Sequence, residues 1–249
     1  VGSFGVYCSR LGNFVVQHAD LVICLGTRLS QNLTGGDLST FAPKAQIVMV
    51  DVDQGEMDKF EGHGLEIASR IQCLMKDFLD TAKVVVKGFK PSCIEPWLAT
   101  IDRWRSELPD DISAVPVDDA GYVDVHHLVR KLSDVLADDE IIFVDTGGNL
   151  TWTCNNLRVK SGQRVLSAWN FTPMGYAVPA GIGGAAAAPG RPITCIIGDG
   201  GLQLCLGELA TVIRHQLPLK IVLFNNHSHG IQKQTLETWL DANYAGVDI

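Results

Sequence analysis

Several features are absent from this sequence, and each absence narrows the class of protein. No apolar run of about 18 residues occurs, and no basic-then-apolar leader is evident, so neither a membrane span nor a secretory signal is predicted. No basic stripe accompanies the net charge of -8, which argues against nucleic acid binding. The cysteines form no CxxC pair, and several lie in apolar runs where a thiol packs as a small hydrophobe. We therefore expect a protein of a reducing compartment, the cytoplasm.

The composition predicts a folded protein with more than one domain. Of the 249 residues, 46% are hydrophobic and 19% are charged, which is ordinary for globular proteins. This length accommodates two domains, each with its own core. The sequence begins abruptly at Val1 in a glycine-rich segment, and we expect it to be a fragment.

Apolar strands alternate with amphipathic helices along the sequence. This alternation predicts an α/β protein with two doubly wound, mainly parallel sheets joined by a linker. We predict a Rossmann-like domain over residues 1–80, a linker over 81–120 and a second α/β domain over 121–249. The predicted strands cover residues 20–25, 45–50, 140–144, 193–197 and 220–224, and the predicted helices cover 96–108, 125–136, 175–188 and 202–215.

A glycine-rich turn follows the predicted strand at 193–197. It contains Gly198, Asp199, Gly200 and Gly201 and precedes a helix. Glycines allow a ligand to approach the backbone closely, and the N-H groups at the start of a helix bind anions such as phosphate. Asp199 would repel a phosphate unless a cation lay between them, which suggests a divalent ion such as Mg²⁺. Turns of this kind are common, so the motif alone is weak.

A second polar pair ends the next predicted strand. Residues 201 to 224 separate this pair, Asn225 and Asn226, from the Gly198-Asp199-Gly200 segment. That length suits a helical crossover between neighbouring parallel strands, which brings both strand ends to one edge of the sheet. Asp199, Asn226 and the backbone carbonyl of Ser228 are thus predicted to bind the metal ion.

The GDG turn followed by the NN pair resembles the thiamine diphosphate motif. The segment Asn170-Phe-Thr-Pro-Met-Gly-Tyr-Ala-Val-Pro-Ala180 is also similar to the stretch that precedes this motif in acetolactate synthase and pyruvate decarboxylase relatives. Asp145-Thr-Gly-Gly-Asn149 resembles the upstream diphosphate-binding turn, and the stretch from Leu11 to Met57 resembles the latter part of the family's central domain. The resemblance covers nearly the whole chain and is more specific in its second half.

This resemblance implies thiamine diphosphate and Mg²⁺ as cofactors, and a carboligase or decarboxylase that acts on a 2-oxo acid. Met174 matches the bulky residue that holds the cofactor in a bent conformation. Thr172, where relatives usually have Gly, matches the carbonyl that contacts the aminopyrimidine. The implied cofactor residues are Gly148, Asn149, Thr172, Met174, Gly198, Asp199, Gly200, Gly201 and Asn226.

The family pattern is incomplete in this sequence. Relatives activate the cofactor with a glutamate from a pyrimidine-binding domain, usually across a subunit interface, and we expect no such domain within these 249 residues. Gln232 occupies the position of the catalytic acid of pyruvate decarboxylase relatives, and Thr235 that of a substrate-contacting Trp of acetolactate synthases. We also expect the second domain to be truncated at its carboxyl end, soon after the metal turn. We expect the chain to be inactive alone, to belong to a larger protein and to form a homo-oligomer.

Some residues have alternative interpretations. His229 and Gln232 are candidates for a substrate pocket, whereas a zinc site at His227 and His229 would need a third ligand that is not evident. Asp51 and Asp53 could accept a ribose hydroxyl of FAD, which some relatives bind, but no GxGxxG precedes them and a structural remnant is favoured. Two other functions stay open: a non-catalytic cofactor-binding module that needs a partner, and a nucleotide-binding oxidoreductase.

Overall fold

The chain forms two compact units, Val1–Asp111 and Ile112–Ile249, in a computed structural model. The structure describes residues 2–6, 8, 10–90, 94–108, 121–169 and 171–249. Each unit contains one parallel sheet with helices, of three strands in the first unit and four in the second. The predicted α/β class with two mainly parallel sheets is confirmed. Within the described ranges, no helix combines the length and apolarity that a bilayer crossing requires.

The sheet of the first unit has the strand order β1-β2-β3. Its strands are β1 Leu21–Leu25, β2 Gln46–Asp51 and β3 Ser69–Gln72, and the helices are α1 Arg10–His18, α2 Gln31–Thr34, α3 Gln54–Asp58, α4 Met75–Val85 and α5 Glu95–Glu107. Cys24 of β1 and Ile47 and Met49 of β2 pack with Phe41, Met57 and Phe60 in the core. Strand β3 was not predicted because it has no apolar run.

Asp51 and Asp53 follow β2, and both carboxylates are used within their own turn. Asp51 accepts a hydrogen bond from the Asp53 N-H at 3.0 Å. Asp53 accepts one from the Gly55 N-H at 2.8 Å and caps α3. These contacts favour the structural interpretation of the pair over a ribose contact.

Helix α5 lies within the segment predicted as a linker. Trp104 of α5 contacts Phe14 and His18 of α1, with ring centroids 5.9 Å and 5.0 Å apart. Residues 91–93 and 109–120 of the predicted linker lie outside the described residues. The domain boundaries at 80 and 120 therefore stay a prediction.

The sheet of the second unit has the order β5-β4-β6-β7, with all neighbours parallel. Its strands are β4 Ile141–Val144, β5 Arg164–Leu166, β6 Ile193–Gly198 and β7 Leu219–Phe224. Its helices are α6 Val125–Val135, α7 Gly148–Asn156, α8 Ala177–Ala187, α9 Asp199–Leu204, α10 Glu208–Arg214 and α11 Gly230–Trp239. The apolar runs of β4 and β6 are buried on both faces, as expected for inner strands of a parallel sheet.

The helix predicted over residues 202–215 is wrong in one respect. The structure has two helices there. Helix α9 begins at Asp199 and ends at Leu204, and α10 begins at Glu208. Gly207 stands between them, and glycine is a poor helix former. The apolar spacing is shared by both helices, so periodicity alone could not reveal the break.

Helix α8 approaches the sheet closely because it consists mainly of small residues. A methyl group on Gly181 would lie 2.4 Å from the Cys195 sulfur, whereas one on Gly183 would meet nothing within 4 Å. We expect Gly181→Ala to lower the free energy of unfolding by about 1–3 kcal/mol through overpacking. Gly183→Ala should raise it by about 0.5–1 kcal/mol, since alanine favours the helix. Chemical unfolding of both variants tests this packing, and equal effects would contradict it.

Glu140 lies at the amino-terminal end of β4 and forms hydrogen bonds to residues at the amino-terminal ends of β6 and β7. Its fully buried carboxylate accepts hydrogen bonds from the Thr194 hydroxyl and the Lys220 ammonium, both at 2.7 Å, and from the Ala137 N-H at 3.1 Å. Burial by itself would raise the pKa of Glu140. The hydrogen bonds from Lys220, Thr194 and Ala137 outweigh burial and hold the pKa below its usual value.

We expect Glu140→Gln to cost about 1–3 kcal/mol of stability at neutral pH, because Lys220 and Ala137 lose a charged acceptor. A lowered pKa in the folded state stabilises the protein above the unfolded-state pKa of about 4.3. That contribution disappears as the pH falls through the lowered pKa. Urea unfolding from pH 7 to pH 3 should therefore show the two proteins converging in acid. A difference that grew in acid would contradict this role.

Candidate cofactor site

A cavity of about 1030 Å³ opens at the carboxyl ends of the strands in the second unit. This is where parallel α/β sheets bind ligands, and the volume lies at the upper end of the range for cofactor sites. Its lining comes from residues between 121 and 128, from the turns after β4, β6 and β7, from Trp152 of α7, from Met174 and from α11. The lining residues are Gly121, Tyr122, Val123, Val125, Leu128, Thr146, Gly147, Gly148, Asn149, Trp152, Met174, Gly198, Asp199, Gly200, Gly201, Leu223, Phe224, Asn225, Asn226, Ser228, His229, Gly230, Ile231, Gln232 and Gln234.

Two glycines of the turn after β6, Gly200 and Gly201, leave little room for a side chain. A methyl group on Gly200 would lie 2.5 Å from Nδ1 of His229 and 3.0 Å from Cδ1 of Ile249. On Gly201 it would lie 3.1 Å from Oδ1 of Asp145. The backbone of this turn is itself part of the cavity wall. Its role as a phosphate-binding turn stays a prediction.

Asp199 and Asn226 lie side by side across this edge of the sheet. Oδ2 of Asp199 accepts a hydrogen bond from the Asn226 N-H at 3.2 Å, and Oδ1 accepts one from the Gly200 N-H at 2.9 Å. Strands β6 and β7 pair through to Gly198 and Phe224, which explains why the two turns meet. The structure therefore places the Asp199 carboxylate beside the backbone of Asn226, so the two residues that the sequence predicted as metal ligands are adjacent.

The turn after β7 is held by its own side chains and by the chain end. Oδ1 of Asn226 accepts from the Ser228 N-H at 3.3 Å, and Oδ1 of Asn225 accepts from the His227 N-H at 3.0 Å. Ser228 also forms an antiparallel bridge with Asp248. These contacts fix the turn in which the Ser228 carbonyl was predicted to complete the metal site.

The turn after β4 forms a second wall. Asn149 is buried, and its amide N-H donates to the Asp145 carbonyl at 2.9 Å. Its Oδ1 would be 3.4 Å from a methyl group on either Gly147 or Gly198, so this side chain lies between two glycine turns. Gly148 is covered by the Trp152 ring, which would lie 2.8 Å from an added methyl group.

Met174 lines the cavity, whereas Thr172 is not among the lining residues. Thr172 has a φ of 42°, in the left-handed region that favours glycine. The Gly-to-Thr departure in the sequence thus falls at a position where glycine would be less strained. Asn170, at the start of the same motif, lies outside the described residues.

His229 and Gln232, the candidates for a substrate pocket, both line the cavity. Sequence reasoning missed the apolar wall formed by Tyr122, Val123 and Trp152. The ring of Trp152 also packs against Phe224, with centroids 6.1 Å apart. The spacing of Gly148 and Trp152, one helical turn apart, could have indicated this wall if α7 had been predicted.

Positive charge is scarce around the cavity. Among the residues that the structure describes, neither Lys nor Arg belongs to the lining. In that part of the chain, no group of three or more His, Cys, Asp or Glu side chains is placed to hold a metal, so the zinc interpretation of His227 and His229 gains no third ligand. An anionic ligand would have to be neutralised by backbone N-H groups and by an ion bound with it.

Glycine turns at the tips of a parallel sheet, together with a carboxylate and an amide, are the arrangement of an α/β domain that binds a phosphorylated cofactor. A family model described as "Thiamine pyrophosphate enzyme, C-terminal TPP binding domain" matches residues 145–249. A second, "Thiamine pyrophosphate enzyme, central domain", matches residues 1–79. The chain belongs to the thiamine pyrophosphate enzyme family and carries these two domains. The family recognised from the sequence motifs is confirmed.

The chain is also similar to acetolactate synthase large subunits. It is 31% identical to the one of Cyanidium caldarium over 98% of this chain and 41% of that protein. It is 28% identical to the isozyme 2 large subunit of Escherichia coli K12 over 98% of this chain and 42% of that protein. With the acetolactate synthase of Mycobacterium bovis, it shares 28% identity over 100% of this chain and 40% of that protein. The chain thus spans about two fifths of the length of these relatives.

Proposed function

We propose that this chain is the thiamine diphosphate and Mg²⁺ binding part of an acetolactate-synthase-like carboligase or decarboxylase that acts on a 2-oxo acid. The observation that carries the proposal is the adjacency of Asp199 and Asn226 beside the Gly198–Gly201 turn, in a cavity whose described lining has no Lys or Arg. A carboxylate, an amide oxygen and a backbone carbonyl are the hard oxygen ligands that Mg²⁺ prefers.

In this proposal, each wall of the cavity binds a different part of the cofactor. Asp199, Asn226 and the Ser228 carbonyl hold Mg²⁺, which neutralises the diphosphate. The backbone at Gly200 and Gly201, with Gly148 and Asn149, holds the diphosphate, and Met174 supports the rings. The carbonyl of Thr172 is assigned to the aminopyrimidine on the family resemblance alone, since Thr172 is not among the lining residues. The bound cofactor supplies the carbon nucleophile and the electron sink for reactions next to a carbonyl.

The residues near the proposed substrate pocket differ from those of both named activities. An amide such as Gln232 cannot deliver a proton as a carboxylic acid does. His229 lies beside Gly200 and faces the same cavity. We therefore assign substrate contact to His229 and Gln232, and leave the identity of the 2-oxo acid to assay.

The proposed enzyme needs a pyrimidine-binding domain from another segment or subunit, with homo-oligomerisation to complete the site. The chain spans only about two fifths of its relatives, which supports this proposal. Large apolar side chains near the cavity are also exposed: Phe171 is 89% exposed and Met174 41% exposed. Apolar surface of this kind is typical of protein interfaces.

Calorimetric titration tests the cofactor assignment. We expect the chain to bind thiamine diphosphate in the presence of Mg²⁺ and to bind NAD and FAD weakly or not at all. Tighter binding of NAD or FAD would favour the oxidoreductase alternative.

Carbon dioxide release from a 2-oxo acid, assayed with and without an added pyrimidine-binding domain, separates an enzyme from a cofactor-binding module. We expect release only with that domain.

A further inference from the structure

A buried carboxylate lies behind the cavity, at the end of β4. The Asp145 residue is 1% exposed. Its Oδ1 accepts hydrogen bonds from the N-H groups of Thr146 at 2.9 Å and Gly175 at 3.1 Å. Its Oδ2 accepts one from the Ala177 N-H at 2.9 Å. Asp145 thus joins its own turn to a segment some 30 residues further along the chain.

The turn after β6 also lies close to this carboxylate. A methyl group on Gly201 would lie 3.1 Å from Oδ1 of Asp145. Asp145 is not itself among the residues that line the cavity, although its neighbours Thr146, Met174 and Gly201 are. It is therefore placed to set the relative positions of three turns without touching a ligand.

Keeping a carboxylate in this environment is energetically unfavourable. Burial raises the pKa of Asp145 despite the hydrogen bonds from Ala177, Gly175 and Thr146. A neutral side chain would avoid that cost. However, an asparagine could accept the same set of hydrogen bonds only in part, since its NH₂ group would face a backbone N-H.

We propose that Asp145 is a positioning residue that fixes Met174 against the bound cofactor by holding the N-H groups of Gly175 and Ala177. The inference rests on the proposed function. Gly175 has a φ of 79° and directly follows Met174, so its hydrogen bond to Asp145 determines where the Met174 side chain begins. The described hydrogen bonds of the Asp145 carboxylate come from Thr146, Gly175 and Ala177 and not from the glycines assigned to the diphosphate, so the diphosphate end of the cofactor depends on Asp145 much less.

Two ligands separate positioning from a general loss of structure. For Asp145→Asn, we expect binding of thiamine diphosphate with Mg²⁺ to weaken about tenfold or more, in line with the loss of a charge-assisted hydrogen bond. Inorganic pyrophosphate with Mg²⁺, which cannot reach Met174, should bind within about twofold of the unaltered chain. Equal weakening for both ligands, or no change for either, would overturn the proposal.

Glu140→Gln is the matched control, because it alters a buried carboxylate at the opposite end of the same strand. It should affect the two ligands alike. A double-mutant cycle adds a second criterion. In a Met174→Ala background, Asp145→Asn should change thiamine diphosphate binding by no more than about twofold. Fully additive effects would show that Asp145 does not act through Met174.

Hydrogen exchange decides the case if Asp145→Asn fails to fold. In the unaltered, ligand-free chain, the amides of Gly175 and Ala177 should be strongly protected, and their free exchange would overturn the proposal. An unaltered chain that binds pyrophosphate and Mg²⁺ but discriminates against thiamine diphosphate would instead overturn the proposed function. That outcome can be told apart from failure of the Asp145 proposal, because it is seen in the binding of the unaltered chain alone.

Discussion

Asp199→Asn is expected to weaken Mg²⁺-dependent binding of thiamine diphosphate by at least about 100-fold. Loss of an outer partner of a metal ligand commonly costs about 10- to 100-fold in affinity, so loss of a charged ligand should cost no less. The described lining holds no Lys or Arg to compensate. Without the ion, only backbone N-H groups of the turn would remain to neutralise the charge of the diphosphate.

The measurement is calorimetric titration at several Mg²⁺ concentrations. The variant should have lost the dependence on Mg²⁺ together with the affinity. Asp134→Asn removes an exposed carboxylate from α6, outside the cavity lining, and serves as the charge-matched control. An Asp199→Asn chain that kept Mg²⁺-dependent binding within about threefold of the unaltered chain would contradict the metal assignment.

Gly200→Ala should have the second largest effect and reduce thiamine diphosphate binding by about 10- to 100-fold. The new methyl group would lie 2.5 Å from Nδ1 of His229 and 3.0 Å from Cδ1 of Ile249, so the turn or its neighbours must move. A displacement of about 1 Å in a positioned site is enough to cause losses of this size. The effect comes from shape, since no charge is altered.

A second substitution tests the steric cause. In a His229→Ala background, Gly200→Ala should weaken thiamine diphosphate binding by a smaller factor than it does in the unaltered chain. The imidazole ring, which lies nearest to the new methyl group, is then absent. Gly207→Ala is the matched control, since a methyl group there meets nothing within 4 Å. If Gly207→Ala and Gly200→Ala weakened binding equally, the close packing of the turn would not be the reason.

Much of the fold could be predicted because buried parallel strands have a simple sequence signature. Strands β2, β4 and β6 are continuous apolar runs, and their ends lie within a residue or two of the predicted bounds. Strands β3 and β5 escaped prediction. The first has no apolar run and the second has only three residues, so their structure depends on pairing with β2 and β4.

The candidate site was predictable where it depends on strand ends and unpredictable where it depends on distant contacts. Gly198, Asp199 and Asn226 follow directly from two neighbouring parallel strands. By contrast, the hydrogen bond from Gly175 to Asp145 joins residues 30 positions apart. The Trp152 wall was missed for a related reason, because α7 has too little apolar periodicity to be recognised.

The central claim is that Asp199 and Asn226 hold a divalent ion that neutralises a diphosphate. Its most direct test is a crystal structure of the chain with thiamine diphosphate and Mn²⁺, recorded at a wavelength where manganese scatters anomalously. We expect one anomalous peak at about 2.0–2.3 Å from side-chain oxygens of both residues and from a diphosphate oxygen. Bound cofactor with the peak elsewhere, or with no ion between these side chains and the diphosphate, would contradict the account.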